Sequence, residues 1–184
     1  MKNKTPKLKK KSTGKYGNGF YADEDIKKGT IIHMFTGKRM DVKELVQKVN
    51  SNKENIDDPF QIGKRTYIDL DEVSRTFNHS CDPNCGIRKV GEMFSLRDIK
   101  KGEEITYDYS LTIAPTEWKM KCLCKSKNCR KILGDINSVS KKQLDSYKKF
   151  GALQNYMKKL LKEIESGNYK VPKYEIEALN SLKI

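Results

Sequence analysis

Short apolar runs broken by turn residues fill the first two-thirds of the chain, and longer helical periods fill its end. Residues 29–35 (Gly-Thr-Ile-Ile-His-Met-Phe), 65–70, 93–96 and 104–109 are rich in β-branched and aromatic side chains, and they predict strands. Lys-Lys-Gly at 27–29 and again at 100–102 marks turns before two of them. Between Asp41 and Asn50, Val42, Leu45, Val46 and Val49 fall on one helical face. Past Asp135 the period changes. Ser140-Lys-Lys-Gln143 has the form of a capping box, and Gly151 separates the helix it opens from a second one. In that second helix Leu153, Tyr156, Met157, Leu160, Leu161 and Ile164 make an apolar stripe. The stripe is expected to pack on the β region, with a partner or dimerisation face as the alternative. Residues 167–184 show no clear period.

Composition narrows the class. With 36% hydrophobic and 34% charged residues over 184 positions, the chain is globular and polar, long enough for one domain and an appendage. No apolar run nears the ~20 residues of a membrane span, and no apolar stretch follows the lysine-rich start as in an export signal. An intracellular protein is therefore expected.

Net charge is +14, yet only six of the 38 basic residues are arginine. Lysine lacks the planar fork that suits bidentate phosphate and base recognition, so most of this charge reads as solvated surface. Residues 1–15 hold seven lysines and are expected to form a disordered basic arm, able to make weak contact with nucleic acid.

Four segments carry chemistry. Tyr16-Gly17-Asn18-Gly19-Phe20 places two glycines one residue apart, which lets backbone approach a ligand closely. No Rossmann context follows it. Arg75 to Asn84 gathers Asn78, His79, Ser80, Cys81, Asp82 and Pro83 into one polar loop. Gly102 to Tyr109 is a turn feeding a strand whose period of two puts Tyr107 and Tyr109 on the same face. Taken alone, that pair reads as a cross-strand core contact. Finally, Cys122, Cys124 and Cys129 lie within eight residues. Without an export signal, metal binding is preferred to disulfides. Structural Zn²⁺ takes four ligands at ~2.3 Å, so a fourth must come from elsewhere, with Cys81 or Cys85 as the available donors.

In order and spacing these segments resemble the SET family of protein lysine methyltransferases with a post-SET zinc motif, across roughly residues 16–135. The carrying strings are Gly17-Asn18-Gly19, Asn78-His-Ser-Cys-Asp-Pro-Asn84, Gly102 to Tyr109, and Cys122-x-Cys124-x4-Cys129. The resemblance implies a mainly β fold with appended helices (α+β): a SET-type β-clip with a pseudoknot, a zinc-bound post-SET segment and C-terminal helices. The implied boundaries are a SET domain at 16–116, a post-SET segment at 117–135 and a helical extension at 136–184.

The resemblance also implies S-adenosylmethionine as methyl donor, held by Tyr16, Gly17, Asn18, Gly19, Phe20, Asn78, His79, Tyr109 and Leu123. Tyr109 would be the catalytic tyrosine, and Tyr107 would bias the product toward mono- or dimethylation. Cys81, Cys122, Cys124 and Cys129 would hold zinc, leaving Cys85 as a buried free thiol. The implied substrate is a histone, a nucleosome or another lysine-containing protein. One position departs from the family pattern. Phe35-Thr36-Gly37 stands where the family has Tyr-x-Gly, which removes a hydroxyl from the lysine channel. A weakly active or non-catalytic SET-like zinc-stabilised module binding chromatin or nucleic acid is therefore the alternative reading. Oligomeric state is not legible from the sequence.

Overall fold

A computed structural model describes residues 5–14, 17–51, 60–116 and 118–171. Most of the fold is short antiparallel strands. Strand β1 (Leu8–Ser12) pairs with β2 (Asn18–Ala22) as a hairpin. Strands β3 (Ile31–Met34) and β4 (Gly37–Asp41) follow, then helix α1 (Val42–Asn50). Next come β5 (Phe60–Gly63), β6 (Thr66–Leu70), the one-turn helix α2 (Glu72–Arg75) and the two-residue β7 (Asn78–His79). Strands β8 (Cys85–Arg88), β9 (Glu92–Ser95) and β10 (Thr106–Tyr107) complete the central part. The chain continues through β11 (Lys119–Lys121) and β12 (Ile132–Gly134) to α3 (Lys141–Lys149) and α4 (Asn155–Glu165).

Two three-stranded sheets, ordered β3-β9-β8 and β4-β6-β5, enclose one core. Ile32, Phe35, Phe60, Phe77, Ile87, Met93, Ile99 and Ile105 form its centre. A second core joins Phe94 and Leu111 to Ile136, Tyr147, Leu153, Met157, Leu160 and Leu161. The apolar stripe of α4 is thus buried within the molecule, as its period required. Strand β9 serves both cores because all four of its residues are buried. Close approach on β8 is possible only at Gly86, where an added Cβ would stand 2.5 Å from the Ala152 Cβ. Ser140 caps α3 by accepting from the Gln143 amide (3.3 Å).

Two expectations change. Leu8–Ser12 is not a disordered arm. Its backbone ladders onto β2, Leu8 packs on the core, and Lys11 lies 4.9 Å over the Tyr21 ring. Lysines are well suited to an exposed edge strand, where their charge blocks further pairing, so a lysine-rich composition did not exclude a strand. The strand expected over 104–109 ends at Tyr107, because Asp108 caps a 3-10 turn over Tyr109–Thr112. The Val49 side chain and residues 1–4, 15, 16, 52–59, 117 and 172–184 lie outside the described residues.

Replacing Gly86 by valine should lower unfolding free energy by about 1–3 kcal/mol through overpacking against Ala152 and Leu96. Gly86→Ala should cost less. Urea titration followed by circular dichroism reads both.

Candidate active site

The polar loop is stitched along one strand. β7 pairs with β10 in parallel, Asn78 opposite Thr106 and His79 opposite Tyr107. Ser80 continues the pairing through its amide to the Tyr107 carbonyl (3.1 Å). Asn84 closes the loop, donating to the Glu104 carbonyl (2.7 Å) and accepting from the Thr106 amide (3.0 Å). Both distant motifs thereby share one backbone frame.

Behind that frame stands an aromatic wall. The Tyr107 and Tyr109 rings are 4.9 Å apart, and Phe35 meets Tyr107 edge-on at 5.2 Å. Phe35 also stacks on Phe60 at 4.7 Å and lies 6.0 Å from Phe77. The Tyr109 hydroxyl donates to the Phe77 carbonyl (2.9 Å), which fixes the phenol. Phe35 is 3% exposed, buried among these rings.

A cavity of about 690 Å³ opens in front of the stitched loop. Its wall includes Asn78, His79, Tyr109 and Leu123 of the expected set, together with Tyr21 and Glu104. Asn78 donates to the Asn18 carbonyl (3.1 Å) and to Glu104 Oε1 (2.7 Å). A Cβ on Gly19 would meet that carboxylate at 2.4 Å and the Asn78 amide at 2.7 Å, so a larger residue would displace both side-chain ends. Gly17 takes a positive φ of 90°, and its carbonyl accepts from the Thr13 amide (2.8 Å) in the hairpin turn. The Phe20 ring packs 4.9 Å from Phe77 in the core. Tyr16 lies outside the described residues. Burial and the facing Arg130 charge hold the His79 imidazole down at about 3, so the ring is neutral.

The cysteines converge beside His79. Sγ atoms of Cys81 and Cys122 are 3.7 Å apart, and the Cys81 amide donates to Cys124 Sγ (3.5 Å). Ligand atoms of His79, Cys81, Cys122 and Cys124 all lie within 4.8 Å of one another. Cys129 packs against the same cluster, and its sulfur accepts from the Lys131 amide (3.4 Å). Tetrahedral bonds of ~2.3 Å give a sulfur–sulfur edge of about 3.8 Å, which the Cys81–Cys122 spacing matches. Burial works against the Cys124 thiolate, but donors from the Cys81 backbone and Ser126 bring the thiol down to about 6. Cys85 stands apart, fully buried, its thiol pushed far up by desolvation.

One buried ion pair ties these parts together. Asp108 has no exposed surface and is paired with Arg130 at 2.5 Å. Arg130 also donates from Nε to Cys81 Sγ (3.4 Å). Burial raises the Asp108 carboxyl, and the guanidinium pulls it back.

The sequence reading missed Tyr21, Glu104, Asp108 and Arg130. Tyr21 follows Gly19 by two residues on β2, so extending the period of two from the glycines would have found it. Glu104 bridges to Tyr21 across the sheet. Nothing in the sequence distinguishes Arg130 from the lysines around it. Of the acidic residues that could read a basic substrate, Asp69 is engaged by Lys48 and Arg75, Asp71 caps α2, and Glu72 pairs with Lys10.

A family profile described as SET domain matches residues 17–110. The chain belongs to the SET-domain family. The chain is 36% identical over 140 residues to a variant-silencing SET domain-containing protein of Plasmodium falciparum (66% of this chain, 5% of that protein). It is 32% identical to probable histone-lysine N-methyltransferase set-23 of Caenorhabditis briggsae (69% and 60%). It is 34% identical to histone-lysine N-methyltransferase SETD2 of Homo sapiens (70% and 6%). The chain thus spans between 5% and 60% of the length of these relatives. Among solved structures, a humanised mutant of the Chaetomium thermophilum Polycomb Repressive Complex 2, bound to the inhibitor GSK126, superposes with TM-score 0.51. Its identity is 22% over 59% of this chain and 15% of that one, which places the fold with SET domains. No described helix is long and apolar enough to cross a membrane.

In this SET domain Arg130→Ala should strand a buried carboxylate and cost about 3–5 kcal/mol of stability. Chemical denaturation should show that loss.

Proposed function

We propose that this SET domain transfers a methyl group from S-adenosylmethionine to the amine of a protein lysine. The carrying observation is that Tyr109 lines one cavity with Asn78, His79 and Leu123, while its ring contacts Tyr107 and Tyr107 in turn meets Phe35. The cavity suits a ligand of cofactor size. S-adenosylmethionine would supply the methyl group as an electrophile on a cationic sulfur. Asn78, His79, Leu123 and the backbone around Gly17–Gly19 would hold it.

The residues must then present a neutral amine. A free lysine has a pKa of ~10.4, so deprotonation at pH 7 costs roughly 4.6 kcal/mol. The aromatic wall excludes water and disfavours the ammonium form, which lowers that cost without a dedicated base. Tyr109, fixed by the Phe77 carbonyl, accepts from the amine and aims it. Tyr107 crowds the same channel, which supports mono- or dimethylation. The names of the relatives support a histone or another chromatin protein as substrate, in the nucleus of a eukaryotic cell or a host.

Zinc fits the cysteine cluster and would staple the Leu123 loop to the cofactor loop, held by Cys81, Cys122, Cys124 and Cys129. The Tyr109 amide donating to His79 Nδ1 (3.2 Å) supports Cys129 rather than His79 in the fourth place. The neutral ring then carries its proton on Nε2, which faces Cys81 Sγ at 3.2 Å as a donor.

The Phe35 environment favours a second reading. A channel without that hydroxyl aims the amine less well, so a weakly active module that binds chromatin through the same groove is the alternative.

Labelled methyl transfer to histones, nucleosomes and basic peptides tests the first reading. Tyr109→Phe should reduce turnover by about 10²-fold, the scale of losing one aligned polar group. A wild type that binds cofactor yet labels nothing beyond this mutant would reject catalysis and leave the binding module. Metal analysis should find one zinc per chain, lost in Cys129→Ser and kept in His79→Ala. The reverse result would move the fourth ligand to His79.

A further inference from the structure

Helix α3 lies beyond residues 17–110, yet two of its polar side chains reach the centre of that region. Tyr147, 4% exposed, donates its hydroxyl to Asp108 Oδ2 (3.2 Å). Gln143 donates one amide proton to the Tyr147 oxygen (3.1 Å) and the other to the Cys81 carbonyl (2.7 Å). Asp108 is thereby divided between two layers. Its Oδ1 accepts from Arg130 and from the Ser110 amide (3.2 Å), while Oδ2 faces α3.

Docking this helix does not require those groups. Leu144 and the Tyr147 ring already supply an apolar face to the second core. Burying a hydroxyl and an amide beside it costs free energy unless each finds a partner. Both do, and their partners lie on the two segments that build the site. Asp108 sits between Tyr107 and Tyr109 and caps the turn that carries Tyr109. The Cys81 carbonyl belongs to the loop that carries Asn78 and His79.

We propose that α3 is a positioning element of the active site: Tyr147 sets the Tyr109 turn through Asp108, and Gln143 sets the Asn78–Cys81 loop through the Cys81 carbonyl. Its kinetic test rests on the methyltransferase reading, and its exchange test does not. Neither side chain touches the reacting atoms.

The full chain is compared with Tyr147→Phe, Gln143→Leu and Leu160→Ala, each well below its melting transition. Leu160→Ala loosens the same core without touching Asp108 or Cys81. Tyr147→Phe should lower kcat about tenfold with S-adenosylmethionine affinity held within about twofold. Gln143→Leu should act first on binding, raising the cofactor Kd about fivefold by isothermal titration. By hydrogen exchange, the Tyr109 and Ser110 amides should open at least about tenfold faster in Tyr147→Phe than in wild type. Leu160→Ala should not speed these two amides selectively. Wild-type kcat and wild-type exchange in Tyr147→Phe would overturn the proposal, as would Leu160→Ala reproducing its changes. If the wild type transfers no methyl group, the methyltransferase reading fails. The exchange comparison alone then upholds or overturns the hold of α3 on the turn.

Discussion

A carboxylate with no exposed surface must be neutralised and fully hydrogen-bonded, and Asp108 draws partners from its own turn and from two distant parts of the chain. Arg130 arrives from the cysteine-rich segment, Ser110 from the next turn, and Tyr147 from α3. Removing any of them would leave charge or a lone pair in a medium that solvates neither. The pair alone is no large source of stability, because desolvation offsets much of its attraction. Its effect is on arrangement. It brings the end of β10, the cysteine cluster and the helical extension to one point.

Strand β9, buried along its whole length, separates the β core from the helical core, and Gly86 lets the α3–α4 turn close onto β8. The cavity forms on the other side, where Asn78 is clamped between the Asn18 carbonyl and Glu104. The expected cofactor wall and the expected zinc cluster are neighbours through His79 and Cys81, two residues apart in sequence. A change in one therefore has a short route to the other.

Phe35 shows how far packing can compensate for lost chemistry. Stacked on Phe60 and set edge-on to Tyr107, it fills the core side of the tyrosine pair. Under the proposed reading, an apolar wall would disfavour the charged form of the substrate amine. Orientation falls more heavily on Tyr109, whose hydroxyl is already tied to the Phe77 carbonyl. This concentrates the demand for precise placement on the turn that Asp108 caps.

The sequence by itself determined the motifs and most of the elements. The Asn78–Asn84 string, the two tyrosines and the cysteine spacing pointed to the family, and the three- and four-residue stripe of α4 pointed to a buried helix. These signals are local, and local periodicity and residue type survive in a linear reading. Tertiary structure decided which distant groups meet. It made a strand of Leu8–Ser12, where backbone pairing outweighed a lysine-rich composition. It ended β10 at Tyr107, because Asp108 had a buried partner to satisfy. It also gave Arg130, Gln143 and Tyr147 their places. A buried polar network is defined by partners far apart along the chain, so no single segment carries its trace.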